Sequence, residues 1–239
     1  MPRILVLIAT IPSRRPFVTR LLAELQRQTR QPDGVILCLD GYGDAPAPPC
    51  PLPIAATYRT DCLSGPGQRW RVAKDLNPDG IIINLDDDVF TAKAPGLIAA
   101  LVDAVEQHGA AASMGMTLDG KRAAPGKSSR GRLIYGAGCG LAARAGDLAG
   151  LSELRDRVVA AGGRDPLGPC GDDDALVSAL LWLNGVQIWH AATGVINAAA
   201  GTQDGSQTRQ RLARGEGMDE QKRFIADLTG WPYPRQPSP

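Results

Sequence analysis

Short apolar runs rich in Ile, Leu and Val alternate along the chain with longer stretches whose apolar residues recur every three or four positions. The first kind predicts buried strands and the second amphipathic helices, and their alternation predicts a mostly parallel sheet covered by helices. A strand over 3–9 is followed by a helix beginning near Pro16, with Phe17, Leu21, Leu22 and Leu25 on one face, until Gln31-Pro32-Asp33-Gly34 breaks it. A second strand over 35–39 ends at Asp40-Gly41. The five prolines within 45–53 force an extended loop, and a brief strand over 54–58 follows.

Beyond Gly65-Pro66-Gly67 the pattern predicts a helix over 68–76, then a strand over 80–85. Leu97, Ile98, Leu101, Val102 and Val105 mark another helix, and strands are expected over 110–118 and 132–143 with a polar loop between them. Helices are expected over 148–160, 174–183 and 218–228. The small and polar residues of 191–217 predict a loop, and the chain ends in a proline-rich tail over 231–239. Trp70, Trp182, Trp189 and Trp231 are expected to be core residues. The whole reads as one α/β domain over 1–230, with a nucleotide- and metal-binding part over 1–90 and an acceptor and catalytic part over 91–230.

Composition adds exclusions. With 239 residues the chain is long enough to bury a full core, and a net charge of +1 gives no global attraction to nucleic acid or to an anionic membrane. No apolar run approaches the length of an integral membrane segment. The five cysteines form no C-x-x-C pair, and the N-terminal apolar run lacks a small-residue cleavage pattern, so a cytoplasmic protein with reduced thiols is expected.

Two acidic runs stand out against this background. Asp86-Asp87-Asp88 closes the apolar strand over 80–85, where three carboxylates repel one another unless a cation or water neutralises them. Asp172-Asp173-Asp174 opens the apolar helix ended by Asn184-Gly185, a position that also suits plain N-capping. In an open α/β sheet, ligands bind beyond the carboxyl ends of the strands, where Thr10–Arg14, Asp40 and Asp86–Asp88 all fall. His190 ends the apolar run Val186-Gln187-Ile188-Trp189 and suits either a hydrogen-bonded structural role or a metal. Lys121, Arg122, Lys127, Arg130 and Arg132 make a basic segment suited to a diphosphate, an anionic acceptor or solvent; a P-loop is excluded, because Gly120 lies one residue too far from Gly126-Lys127-Ser128 and a strand follows.

The order of these features resembles the GT-A glycosyltransferases, and among them the inverting family 2 enzymes, over the span from Ile4 to about His190. The resemblance implies a GT-A (nucleotide-diphospho-sugar transferase) domain. It implies a nucleotide site at Thr10, Pro12 and Arg14, at Asp40 for uracil or ribose, at Gly67 and Arg69, and at Asp86 and Asp87. The metal would be Mn²⁺ or Mg²⁺ on Asp86 and Asp88 of the D-x-D motif, with His190 as a further ligand. Asp174 would be the catalytic base, with Asp173, where the family often has Glu, supporting it. The implied partners are a nucleotide-sugar donor, UDP-sugar first, and a hydroxyl acceptor. A nucleotidyltransferase on a related fold and a non-catalytic nucleotide-sugar-binding protein are the alternatives; the first would carry a glycine-rich signature directly after strand one, which Thr10–Arg15 lacks.

Overall fold

A computed structural model describes residues 2–60, 67–124, 131–137, 139–168, 171–193, 197–198 and 218–234. Strands β1 (Ile4–Thr10), β2 (Gly34–Asp40), β3 (Ile54–Thr60) and β4 (Ile81–Asp86) lie parallel, in the order β3-β2-β1-β4. β11 (Leu141–Arg144) then runs antiparallel beside β4, followed by β6 (Gly109–Ala112), β12 (Gln187–His190) and β9 (Arg132–Leu133). Six of the eight strands therefore point the same way, with β11 and β9 opposed.

Both faces of this sheet are covered, which is why β1, β2 and β4 read as nearly continuous apolar runs rather than alternating ones. Ile4, Val6 and Ile8 face one core with α1 (Arg15–Leu25) and α3 (Leu97–His108). Leu5 and Leu7 face the other, with α2 (Gln68–Leu76), α4 (Leu151–Ala160), α5 (Asp173–Leu183) and α6 (Met218–Thr229). The single-residue alternation of the strand distributes its side chains between the two layers.

Two expected strands are broken. The chain leaves the main sheet after Ala112, because the Ser113 backbone N–H and hydroxyl are both taken by the 139–140 turn, and it re-forms as β7 (Gly115–Met116). The stretch 132–143 divides into β9, β10 (Tyr135–Gly136) and β11 rather than running as one strand. Gly140 has φ +137, a conformation closed to ordinary strand residues. β10, β7 and β8 (Arg122–Ala123) make a small antiparallel sheet, and β5 (Val89–Phe90) pairs with β13 (Asn197–Ala198).

Other boundaries shift less. α4 starts three residues later than expected, after a short 3-10 turn over Ala145–Leu148. The expected loop over 191–217 lies largely outside the described residues. At the C-terminus, Trp231 and Tyr233 are buried, so the segment following α6 belongs to the core as far as Pro234. Trp70 is fully buried as expected, whereas Trp182 is 37% exposed, with the Arg132 guanidinium over its ring. Trp189 stacks on His108.

Candidate active site at the carboxyl edge of the sheet

The parallel strands deliver Thr10, Asp40 and Asp86 to one edge, and the antiparallel β11 begins at that same edge beside Asn84 and Ala112. Beyond β1 a 3-10 turn over Pro12–Arg14 points Arg14 back at the first acidic run. Its Nη1 donates to Asp87 Oδ1 at 2.6 Å, and its Nη2 lies 3.7 Å from Asp88 Oδ2. Burial raises the Asp87 pKa despite this partner, since the carboxylate loses more hydration than Arg14 returns.

The loop after Asp88 is held from behind. Glu24, buried on α1, accepts from the Thr91 and Ala92 backbone N–H groups at 2.6 and 3.0 Å, and Gln28 donates to the Ala94 carbonyl. Sequence reasoning missed Glu24; its signal was an acid beside Leu21, Leu22 and Leu25 on a helix face that must be apolar.

The second run meets the first through α2. Arg69, buried with a pair of carboxylates before it, donates from Nη2 to Asp173 Oδ2 at 3.2 Å and lies 3.6 Å from Asp86 Oδ1. Burial opposes its charge, and the fields of Asp173, Asp86 and Asp174 more than offset this, so the Arg69 pKa is raised. Trp70 Nε1 donates to the same Asp173 oxygen at 3.0 Å. Gly67 is required here by packing: a Cβ would stand 2.6 Å from Leu167 Cα and 3.0 Å from Asp173 Cβ. Residues 65 and 66 of the expected glycine turn lie outside the described residues.

Within the second run the three carboxylates have separate surroundings. Asp172 caps α5, accepting from the Ala175 N–H at 3.0 Å. Asp173 is engaged by Arg69 and Trp70. Asp174 accepts a longer bond, 3.4 Å, from Asn84 Nδ2, a fully buried polar residue inside the apolar strand β4. Burial, and then the fields of Asp173, Asp86 and Asp172, push the Asp174 pKa well above the usual carboxylate range. Asp86 is pushed up to about 6, first by burial and then by Asp88, Asp173 and Asp87, with Arg69 opposing. Its side chain keeps 42% of its surface open, so water still screens this strain in part.

The remaining expected residues are placed as follows. Asp40 is buried at the end of β2 and accepts a hydrogen bond from Thr60. Thr10 is buried next to the exposed start of the Pro12–Arg14 turn. His190 is buried at the end of β12, with Nε2 3.2 Å from the Ser113 carbonyl oxygen. Among the described residues, no group of three or more His, Cys, Asp and Glu side chains is arranged to hold a metal ion by itself. Asp86 and the partly open Asp88 fit a hard cation that takes its other ligands from substrate oxygens, the usual arrangement for Mg²⁺ at phosphates.

The strand order, the antiparallel strand beside β4 and the acidic carboxyl edge define a GT-A-like fold. The solved structures it matches include TarS of S. aureus, with a TM-score of 0.52 at 15% identity over 95% of this chain and 42% of that one. TarS 1–349 in complex with UDP matches with the same score and identity over 70% of its length, and TarS 1–349 in complex with UDP-GlcNAc matches with a TM-score of 0.51 at 14% identity over 71%. This chain thus spans less than half of the longer TarS chain. No protein-family profile matches the chain, and no curated protein matches it in sequence. Among the described residues, no helix is long and apolar enough to cross a membrane.

Proposed function

We propose that this protein is an inverting glycosyltransferase that moves a sugar from a nucleoside diphosphate sugar, UDP-sugar first, to a hydroxyl acceptor. The observation that carries the reading is the meeting of two acidic runs at the carboxyl edge, with Arg69 and Trp70 engaging Asp173 and Asn84 of β4 reaching Asp174. Structures of the same fold with UDP and UDP-GlcNAc support it.

In this reading Thr10, Pro12, Asp40, Gly67 and Asp87 border the nucleotide, with Arg14 and Arg69 setting the electrostatics of the acidic runs. Asp86 and Asp88 would hold Mn²⁺ or Mg²⁺, which when bound supplies charge to stabilise the departing diphosphate. Arg14 steadies Asp87 and Asp88 for that task, while Glu24 fixes the loop behind them. Asp174 takes the proton of the acceptor hydroxyl as the oxygen attacks the anomeric carbon. Its raised pKa reflects burial first and the neighbouring carboxylates Asp173, Asp86 and Asp172 second, with Arg69 opposing, and a cation held near Asp86 would favour the ionised form that a base needs. Asp173 is a positioning residue, fixing the first turn of α5 against α2.

The test is a thermal-shift series with UDP, with and without Mn²⁺, followed by calorimetry of Asp88→Ala. A ligand that binds only the folded state raises the apparent melting temperature, so a UDP shift that needs the cation is expected. Asp88→Ala should abolish that dependence. Unchanged UDP affinity and unchanged metal dependence in the variant would remove Asp88 from the site.

A further inference from the structure

The basic segment of 121–132 has five cations, and the structure separates those it describes. Lys121 Nζ is paired with Asp119 at 2.6 Å, and the Arg132 guanidinium lies 5.3 Å from the Trp182 ring centroid. Lys127 and Arg130 lie outside the described residues. Arg122 goes elsewhere. On β8 it stands opposite Met116, and its Nη2 is 3.9 Å from the Met114 sulfur.

That contact places Arg122 on the rim of the acidic site. Met114 follows Ser113, which donates to the Cys139 carbonyl at 2.8 Å from Oγ and to the Gly140 carbonyl at 2.9 Å from its N–H. The 139–140 turn opens β11, whose Leu141 lies opposite Asn84, two residues before Asp86. The electrostatics of Cys139 agree with this placement. Burial and then the fields of Asp86, Asp174 and Asp88 push its thiol well up, and Arg122 works against them.

The other nearby cations are committed. Arg14 is bound to the first acidic run, Arg69 bridges the two runs, and Lys222 Nζ lies 3.7 Å from Asp172 between the rings of Tyr135 and Tyr233. The six carboxylates of the two runs repel a diphosphate, so beside a cation held at Asp86 and Asp88 its seat needs positive charge that these carboxylates have not already neutralised. Among the described residues no carboxylate lies within ion-pairing distance of Arg122, and it is exposed. A planar guanidinium also offers paired N–H donors that match phosphate oxygens.

We propose that Arg122 binds the diphosphate of the nucleotide donor, closing the site from the side of the small β10-β7-β8 sheet. The inference rests on the nucleotide-sugar reading above. It assigns one residue of the basic segment to the donor rather than to an anionic acceptor.

Calorimetry of the full chain with UDP and with UMP, each with Mn²⁺, tests it in wild type, Arg122→Gln and Arg122→Lys. Wild type should prefer UDP, and Arg122→Gln should shrink that preference about tenfold by losing a charge-assisted bond to the second phosphate. Arg122→Lys should fall between them, because a point charge replaces part of the fork. An undiminished preference in Arg122→Gln would overturn the assignment and return Arg122 to the acceptor or to solvent. Equal losses for UDP and UMP would also overturn it, since they mean that the small sheet was disturbed. If wild type binds neither nucleotide, the UDP-sugar reading on which this inference rests falls with it.

Discussion

Asp174 carries a conflict that the protein retains: a carboxyl whose folded-state pKa lies well above its ordinary value, at the start of a buried helix. A raised carboxyl pKa favours the folded state while the group is protonated. That contribution is complete below the unfolded value of about 4 and is lost as pH rises through the folded value. By neutral pH that contribution is falling away, because the carboxyl ionises freely in the unfolded chain and only against resistance in the folded one. Asp174→Asn should raise the melting temperature by about 2–4 °C at pH 7, with the gain vanishing toward pH 4. The same variant should keep UDP binding and lose sugar transfer by roughly 10²–10⁴-fold, because an amide accepts no proton. Asp172→Asn should change little, since Asn caps nearly as well. Melting curves across pH, paired with single-turnover rates, check both halves; near wild-type transfer by Asp174→Asn would move the base to Asp173. The acidic runs were visible in the sequence because carboxylates interrupt or abut apolar runs. Their different surroundings were not, since these depend on Arg69, Trp70 and Asn84, which approach from α2 and β4.

Between elements, the decisive contact is α2 against α5, made where both helices begin. Arg69 bridges Asp86 and Asp173, so it couples the first acidic run to the second while Trp70 fills the core behind it. Removing one partner from such a buried pair leaves an uncompensated charge, and Arg69→Met should cost about 3–5 kcal/mol of stability. Urea unfolding measures this; a loss below about 1 kcal/mol would show that the pair is solvated rather than buried. Gly67→Ala belongs to the same joint. Its Cβ would collide with the Leu167 backbone, which cannot move aside as a flexible side chain does, so α2 must shift and UDP affinity should fall with stability. The helices themselves were legible from their periodicity, within a few residues at their ends. The broken strands were not: Gly140 and the Ser113 bonds interrupt stretches whose composition is strand-like throughout.

Across the molecule, the residues after α5 return to support the site from outside its own sequence neighbourhood. α6 packs on α5, and its Lys222 reaches Asp172 while lying 4.5 Å from the Tyr135 ring centroid. Trp231 extends this cluster: its Nε1 donates to the Ile134 carbonyl at 2.9 Å, and its ring meets those of Tyr135 and Tyr233. Tyr233 in turn donates to Asp219 at 3.0 Å. Proline-rich composition made this segment look like a tail, yet two prolines only fix the backbone angles that let Trp231 and Tyr233 turn inward. The consequence is measurable. Trp231→Ala should remove about 3–5 kcal/mol, the cost of emptying a large aromatic site, whereas Tyr233→Phe should lose about 1 kcal/mol with its hydroxyl bond. Because the cavity opens beside Tyr135 and Lys222, Trp231→Ala should also loosen the first turn of α5 and increase amide exchange at Ala175, whose N–H the Asp172 cap accepts. Unchanged stability in Trp231→Ala would return the segment to the status of a tail. A destabilised variant with unchanged exchange at Ala175 would instead show that the C-terminal cluster supports the core without reaching the acidic site.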